Sequence, residues 1–174
     1  MSAYTSEYVE FFEALTNELQ HMFQSVFQEP VTNERQTPSK TIEELDRCED
    51  MSEIFNVVKT TVTDALGEGR SDIELGFQDL PLQVGAYHPV GTNWIIMNRR
   101  LFKVASNRLS SQREMNSFIF SIMLHEYLHS LAYLSEYQVR RLVYEISKIT
   151  LGEDHPATRI ARYGPWEALA ENIN

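Results

Sequence analysis

The first pattern along the chain is a set of apolar residues that recur at spacings of three and four within residues 8–27. They are Tyr8, Phe11, Phe12, Leu15, Leu19, Met22, Phe23 and Val26. This spacing places them on one face of an amphipathic helix, which we expect to pack against the chain or to associate with a second copy. Residues 29–40 contain two prolines and few apolar side chains, and are predicted to form a loop.

A second helix is predicted from the capping-box sequence Thr41-Ile42-Glu43-Glu44 to a stop at Gly67. Its apolar positions are Ile54, Phe55, Val58, Val62 and Leu66. The period then changes, because apolar and polar residues alternate over residues 73–77. Residues 82–87 and 93–97 are two further strand candidates, so the central part of the chain is predicted to be a small three-stranded sheet.

Helical spacing returns after the strands, with a start at Asn98 or between residues 106 and 111. Ser111 and Glu114 form another capping box before a strongly apolar helix that contains residues 118–128. A break near Ser135 precedes a helix that stops around Gly152, and Pro156 opens a short one. The order of elements predicts an α+β fold and one domain over residues 1–174. It comprises a helical part (1–66), a core (72–152) and a C-terminal tail (153–174).

Composition and charge narrow the classes of function. The net charge of −10 argues against nucleic acid as a partner, because the phosphate backbone is itself negative. A single cysteine, Cys48, excludes an intrachain disulfide and a cysteine-based zinc site. No apolar run approaches the roughly 18 residues of a membrane span, and no leader opens the sequence, so we expect no membrane partner and a cytoplasmic location.

The sequence His125-Glu126-Tyr127-Leu128-His129 carries the most specific chemistry. Residues four positions apart on a helix lie about 40° apart around its axis, so both imidazoles can reach one Zn²⁺ ion. Glu126 projects about 100° from His125, beside the metal, where a general base for water belongs. The alternative interpretation is a pair of hydrogen-bonded core histidines, with Glu126 paired to an arginine.

Two histidines need a third protein ligand, and Glu136, Glu145 and His155 are the downstream candidates. On an unbroken helix Glu136 would lie about 10 Å beyond His129 along the axis. Ser135 and Gln138, however, have the form of a helix start, which would place Glu136 in the first turn of a helix that folds back. Glu145 lies about 180° around that helix, so only one of the two glutamates can face the metal. We expect that one to be Glu136.

The string from residues 93–98 through the histidine motif to Glu136 resembles the short zincin metallopeptidases, and most of all the minimal gluzincin-like families called minigluzincins. The resemblance covers residues 73–149. It implies a strand above a cleft, a helix that supplies two histidines, and a glutamate early in the next helix as third zinc ligand. It also implies that the exposed edge of the strand at residues 94–97 pairs with a peptide. Where some relatives turn the chain with glycine, this sequence has Ala132; where metzincins have a third histidine, it has Ser135.

These patterns together predict a zinc-dependent peptidase that acts on a peptide or protein substrate. His125, His129 and Glu136 would bind Zn²⁺, and Glu126 would act as general base. Candidate donors to the developing oxyanion are Tyr133, Tyr137, Tyr163 and His155. We also expect residues 159–174 to lie near the cleft and restrain activity. The alternatives are a latent or highly specific regulatory zincin, and a non-enzymatic helical interaction module stapled by zinc.

Overall fold

The structure is a computed structural model that describes residues 38–170. In that part of the chain it contains seven α-helices and a three-stranded sheet, which confirms the predicted α+β class. The amphipathic pattern of residues 8–27 and its predicted self-association lie outside the described residues. The single domain predicted over residues 1–174 therefore stays a prediction.

The first described segment forms two helices where the sequence predicted one. Helix α1 spans Pro38–Arg47 and α2 spans Met51–Leu66. The chain breaks between them because Asp50 caps α2, its carboxylate accepting a hydrogen bond from the backbone N–H of Glu53 at 2.9 Å. The predicted cap at Thr41 is wrong, since α1 already begins at Pro38. Helix α2 ends as predicted at Gly67, whose φ of 71° suits a residue without a side chain.

The sheet consists of β1 (Glu74–Gln78), β2 (Ala86–Tyr87) and β3 (Trp94–Asn98) in the order β1-β3-β2. Strand β3 pairs with β1 in parallel and with β2 in antiparallel orientation. The second predicted strand is shorter than expected. Residues 82 and 83 form a turn, residues 84 and 85 are not part of the strand, and pairing with β3 begins at Ala86. The expectation that β3 offers a free edge is wrong, since both of its edges are paired and β2 is an outer strand.

The end of β3 is fixed by the buried side chain of Asn98. Its Oδ1 accepts hydrogen bonds from the backbone N–H groups of Leu80 and Arg100, both at 3.1 Å. Its Nδ2 donates to the carbonyls of Pro81 at 3.0 Å and Val84 at 2.7 Å. All four hydrogen-bonding positions of the amide are thus used, and Asn98 holds the approach to β2 in place while it caps the next helix.

The remaining helices follow β3 in sequence. They are α3 (Arg99–Ser106), α4 (Gln112–Ser130), α5 (Glu136–Leu151), α6 (Pro156–Tyr163) and α7 (Pro165–Ala170). Helix α4, which carries the histidine motif, lies at the centre and contacts β2, β3 and each of the other six described helices. Its side chains Phe118, Phe120 and Met123 are fully buried. Part of the predicted tail forms α6, which packs on α4 and α5.

No helix within residues 38–170 is long and apolar enough to cross a membrane.

Candidate metal centre

Three side chains converge at the C-terminal end of α4 and the first turn of α5. His125 Nε2 lies 3.2 Å from His129 Nε2, and His129 Nε2 lies 3.0 Å from Glu136 Oε1. Glu136 closes the triangle of residues through its other oxygen, because Oε2 lies 3.3 Å from His125 Nε2. The structure therefore brings together the two histidines of the motif and the glutamate that the sequence favoured, within 4.8 Å of one another.

The contacts within this triangle of residues are as short as those between ligands on one tetrahedral ion. Zinc binds histidine nitrogen and carboxylate oxygen at about 2.0–2.2 Å, so tetrahedral ligands lie about 3.3 Å apart. The three distances of 3.2, 3.0 and 3.3 Å match that separation. Two histidines and a glutamate are also a donor set of catalytic zinc sites, in which the fourth position is left to water or substrate. The residues present thus fit a Zn²⁺ ion.

The turn between α4 and α5 places Glu136 in this cluster. Ala132 adopts a φ of 70°, the left-handed conformation that glycine adopts most readily. The backbone N–H of Tyr133 donates to the carbonyl of Leu128 at 3.3 Å, which closes the end of α4. Ser135 then caps α5, its hydroxyl accepting from the N–H of Gln138 at 3.4 Å. The predicted break and cap at Ser135 are confirmed.

The same turn sets the tautomer of His129, that is, which ring nitrogen carries the proton in the neutral form. Its Nδ1 lies 2.8 Å from the carbonyl oxygen of Tyr133, which can only accept a hydrogen bond, so Nδ1 carries the proton and donates it. Nε2 of the neutral ring is then left with its lone pair toward His125 and Glu136. A hydrogen bond of this kind from the remote ring nitrogen is what orients metal-binding histidines.

The electrostatics of the cluster favour the forms that bind a cation. Burial lowers the pKa of His125 below its usual value and so favours the neutral imidazole. Burial alone would raise the pKa of Glu136, but the charges of His125 and His129 and their hydrogen bonds outweigh it and lower the pKa. Glu136 is therefore an ionised carboxylate at neutral pH that faces the two imidazole nitrogens.

Glu126 lies beside the cluster, half-buried on the wall of the same cleft. Burial, and after it the negative charge of Glu136, raise the pKa of Glu126 to about 8, although a backbone hydrogen bond from His88 acts in the opposite direction. A cation held by the cluster would stabilise the ionised carboxylate and lower this pKa. The protonation of Glu126 therefore depends on the charge that the neighbouring cluster carries.

The cluster opens into a cleft of about 780 Å³. One wall is the segment that leads into β2, including Val84 and Ala86, and the opposite wall is the exposed face of α5. Residues 163–166, at the junction of α6 and α7, form a third wall, so the prediction that the tail lies near the cleft is confirmed for these residues. The cleft is large enough for several side chains of a peptide.

The other candidate residues are placed elsewhere. Glu145 is outside both the cluster and the cleft lining. His155 is buried as the N-cap of α6, its Nδ1 accepting from the N–H of Ala157 at 3.2 Å. Tyr133 donates its hydroxyl to Glu68 and is not part of the cleft wall, so among the predicted oxyanion donors only Tyr137 and Tyr163 line the cleft.

Comparisons with protein-family models, with curated proteins and with solved structures found no match for this chain.

Two features of the cleft have no counterpart in the sequence interpretation. The first is the backbone of Ala86, a residue that is 8% exposed and lines the cleft. Asn98 N donates to Gly85 O at 3.0 Å, and the direction of hydrogen bonding alternates along an antiparallel strand. The N–H and C=O of Ala86 therefore point away from β3. The second feature is Arg141, which lines the cleft. The sequence did contain a signal for this position, because the spacing of Arg141 from Glu136, Tyr137 and Arg140 is helical and these residues also line the cleft.

Proposed function

We propose that the protein is a zinc-dependent peptidase of the zincin type, similar to the minimal gluzincins. The observation that carries the proposal is the convergence of His125, His129 and Glu136. The two Nε2 atoms lie 3.2 Å apart, and one oxygen of Glu136 lies 3.0 Å from His129 Nε2 while the other lies 3.3 Å from His125 Nε2, so the three side chains can reach one zinc ion. A general base candidate, Glu126, lies on the wall of the same cleft, as hydrolysis requires.

Zinc, when bound, would act as a Lewis acid that polarises the scissile carbonyl and makes water more acidic. Glu126 would take a proton from the attacking water and deliver it to the nitrogen of the leaving amine as the C–N bond breaks. The water oxygen becomes part of the new carboxylate, so each product receives one part of the water. Tyr137 and Tyr163 line the cleft, and their hydroxyl groups would donate a hydrogen bond to the developing oxyanion.

A peptide substrate would pair with the outer edge of β2. The backbone N–H and C=O of Ala86 point away from β3 and face the side on which an additional strand would lie. Ala86 and Glu126 line one cleft, so a peptide held at this edge passes the candidate base. This replaces the role expected of β3, whose two edges are already paired.

The test is the replacement Glu126→Gln in protein loaded with one equivalent of zinc. We expect zinc to remain bound, because Glu126 is outside the triangle, and peptide hydrolysis to fall by at least about a hundredfold. Glu145→Gln is the matched control, since this glutamate lies on α5 outside the cleft, and it should leave both quantities unchanged. Hydrolysis that persists in Glu126→Gln at the wild-type rate would overturn the proposal.

One observation favours a restricted peptidase over a general one. Residues 163–166 form a wall of the cleft, and one of them, Trp166, is 43% exposed. A wall of this kind narrows the set of folded proteins that can enter. Incubation with unrelated unfolded and folded proteins distinguishes the two forms of the proposal. If no protein is cleaved and a chelator unfolds the chain, the result would instead support the interaction module that zinc staples together.

Cytoplasmic location and self-association through residues 8–27 stay predictions.

A further inference from the structure

The cleft wall carries charges of both signs. The carboxylates that line it, Glu126 and Glu136, are both at the candidate metal centre. The cations Arg140, Arg141 and Arg162 also line it, with Arg140 next to Glu136. In a chain with a net charge of −10, a cleft wall with three arginines and no acidic side chain away from the metal centre is a local reversal of charge.

The three arginines differ in their partners. Arg140 Nε lies 3.7 Å from Glu136 Oε2, and Arg162 Nη1 lies 3.2 Å from Glu153 Oε1. The side chain of Arg141 has no carboxylate partner and no hydrogen bond to another residue within 38–170, and Arg141 is half-buried in the cleft wall. A guanidinium without a carboxylate partner can bind an anion that arrives in the cleft.

The helix geometry gives the offset of Arg141 from Glu136 along the axis of α5. Arg141 follows Glu136 by five residues on α5, which is about 7.5 Å along the helix axis. A peptide in extended conformation advances about 3.3 Å per residue. A carboxylate that reaches Arg141 therefore belongs to a residue about two positions from the scissile bond.

We propose that Arg141 binds a carboxylate of the peptide substrate, which makes the protein selective for peptides with an acidic group about two residues from the bond that is cut. The inference rests on the proposed function and names the substrate class of the same site. The guanidinium forms two parallel hydrogen bonds to a carboxylate, a geometry that lysine lacks. The group comes from an Asp or Glu side chain or from the C-terminus of the peptide, and both present the same two oxygens.

The experiment compares peptides that differ only in this group. One series carries Glu or Gln at each of the three positions on either side of the scissile bond, and a second ends in a free carboxylate or an amide at the same distances. We expect wild-type kcat/KM to favour the charged member by about ten- to a hundredfold at one position. A preference confined to the first series identifies a side chain, and one confined to the second identifies the C-terminus.

Three variants assign the preference to Arg141. Arg141→Gln should remove it and leave hydrolysis of the uncharged peptide and the zinc content unchanged. Arg141→Glu should favour a Lys-containing peptide instead. Arg100→Gln, an exposed arginine outside the cleft, is the control and should keep the preference. Far-ultraviolet circular dichroism of each variant shows whether it folds. Arg141→Lys is a more conservative substitution, because it keeps the positive charge.

The outcomes separate this inference from the function on which it rests. Wild-type cleavage of charged and uncharged peptides at equal rates would overturn the carboxylate site and leave the peptidase standing. Absence of cleavage of every peptide would overturn the peptidase. In that case the change in Trp fluorescence on titration with the same peptides decides the inference: equal affinities for Glu and Gln members overturn it, and a preference lost in Arg141→Gln supports it.

Discussion

Glu136 Oε1 lies 3.0 Å from His129 Nε2, although seven residues along an unbroken helix would separate them by about 10 Å. The distance is short because the chain leaves α4 at Leu131, reverses at Ala132 and enters α5 at Glu136. The candidate metal centre is therefore a property of the turn as much as of the helix that carries the two histidines.

The first prediction is that Glu136→Ala weakens zinc binding, because only two of the three converging donors remain. We expect the dissociation constant to rise by more than about a hundredfold, beyond the effect of removing a group that only supports a ligand. Competition with a fluorescent chelator measures it. Glu145→Ala and His155→Ala should retain wild-type affinity; a loss in either of them but not in Glu136→Ala would show that the third ligand is another residue.

The second prediction concerns the turn. Ala132 is exposed and has a φ of 70°, a conformation that is unfavourable for residues with a Cβ atom. Ala132→Gly should therefore stabilise the protein by about 0.5–1 kcal/mol, measured by urea unfolding of the zinc-free chain. Ala161→Gly, inside α6, should have the opposite sign, because glycine weakens a helix interior by about 1 kcal/mol. Destabilisation in both variants would contradict the assigned role of the turn.

The third prediction concerns the pH dependence of stability. Burial, and then the charge of Arg113, lower the pKa of His155 to about 4, while Asp46, whose Oδ1 lies 4.0 Å from His155 Nε2, opposes them. The unfolded chain, with a pKa of about 6.5, therefore binds the proton first as the pH falls. The stability that neutral His155 contributes is full above pH ~6.5 and is lost progressively toward the folded pKa.

Between pH 7 and pH 5 this loss should amount to about 2 kcal/mol in the zinc-free protein. His155→Asn removes the titrating ring but keeps an oxygen that can accept the hydrogen bond from Ala157 N at the start of α6. The free energy of unfolding of the variant should fall less steeply over the same interval. Parallel curves for the two proteins would show that His155 does not titrate in this way.

The fourth prediction is that Trp166→Ala raises kcat/KM for a folded protein substrate by about two- to fivefold, because the wall formed by residues 163–166 becomes lower. Short peptides should be affected less. Trp94→Ala is the matched control, since Trp94 is 39% exposed against 43% for Trp166 and is not part of the cleft wall. A higher KM for both substrates would mean that Trp166 binds substrate and does not restrain entry.

Local signals in the sequence account for much of the fold. Ser111 and Ser135 were predicted as N-caps and both side chains accept the expected hydrogen bonds, from Glu114 N at 3.2 Å and from Gln138 N at 3.4 Å. Each of these interactions spans three residues, so its partners are visible within one short window of sequence. The spacing of His125 and His129 is local in the same sense, and the position of Glu136 followed from the cap that precedes it.

Long-range contacts account for what the sequence did not predict. The break between α1 and α2 involves Asn116 of α4, whose Nδ2 donates to the carbonyls of Leu45 at 2.8 Å and Cys48 at 2.9 Å. The pattern of residues 41–66 contains no sign of a partner about seventy positions away. The order of the strands and the orientation of Arg141 toward the cleft also depend on which elements meet in space, and no periodicity records that.

The two middle residues of the histidine motif, Tyr127 and Leu128, are 1% and 0% exposed, and the Tyr127 hydroxyl both accepts from Arg70 N at 2.7 Å and donates to Arg70 O at 3.0 Å. The pentapeptide thus contributes one face to the candidate metal centre and the other to the protein interior. A graft of His125, Glu126 and His129 onto an exposed helix of another scaffold would transfer the donors without the anchor that orients them. Randomising positions 127 and 128 in this chain should return few folded clones, even though neither side chain reaches the site.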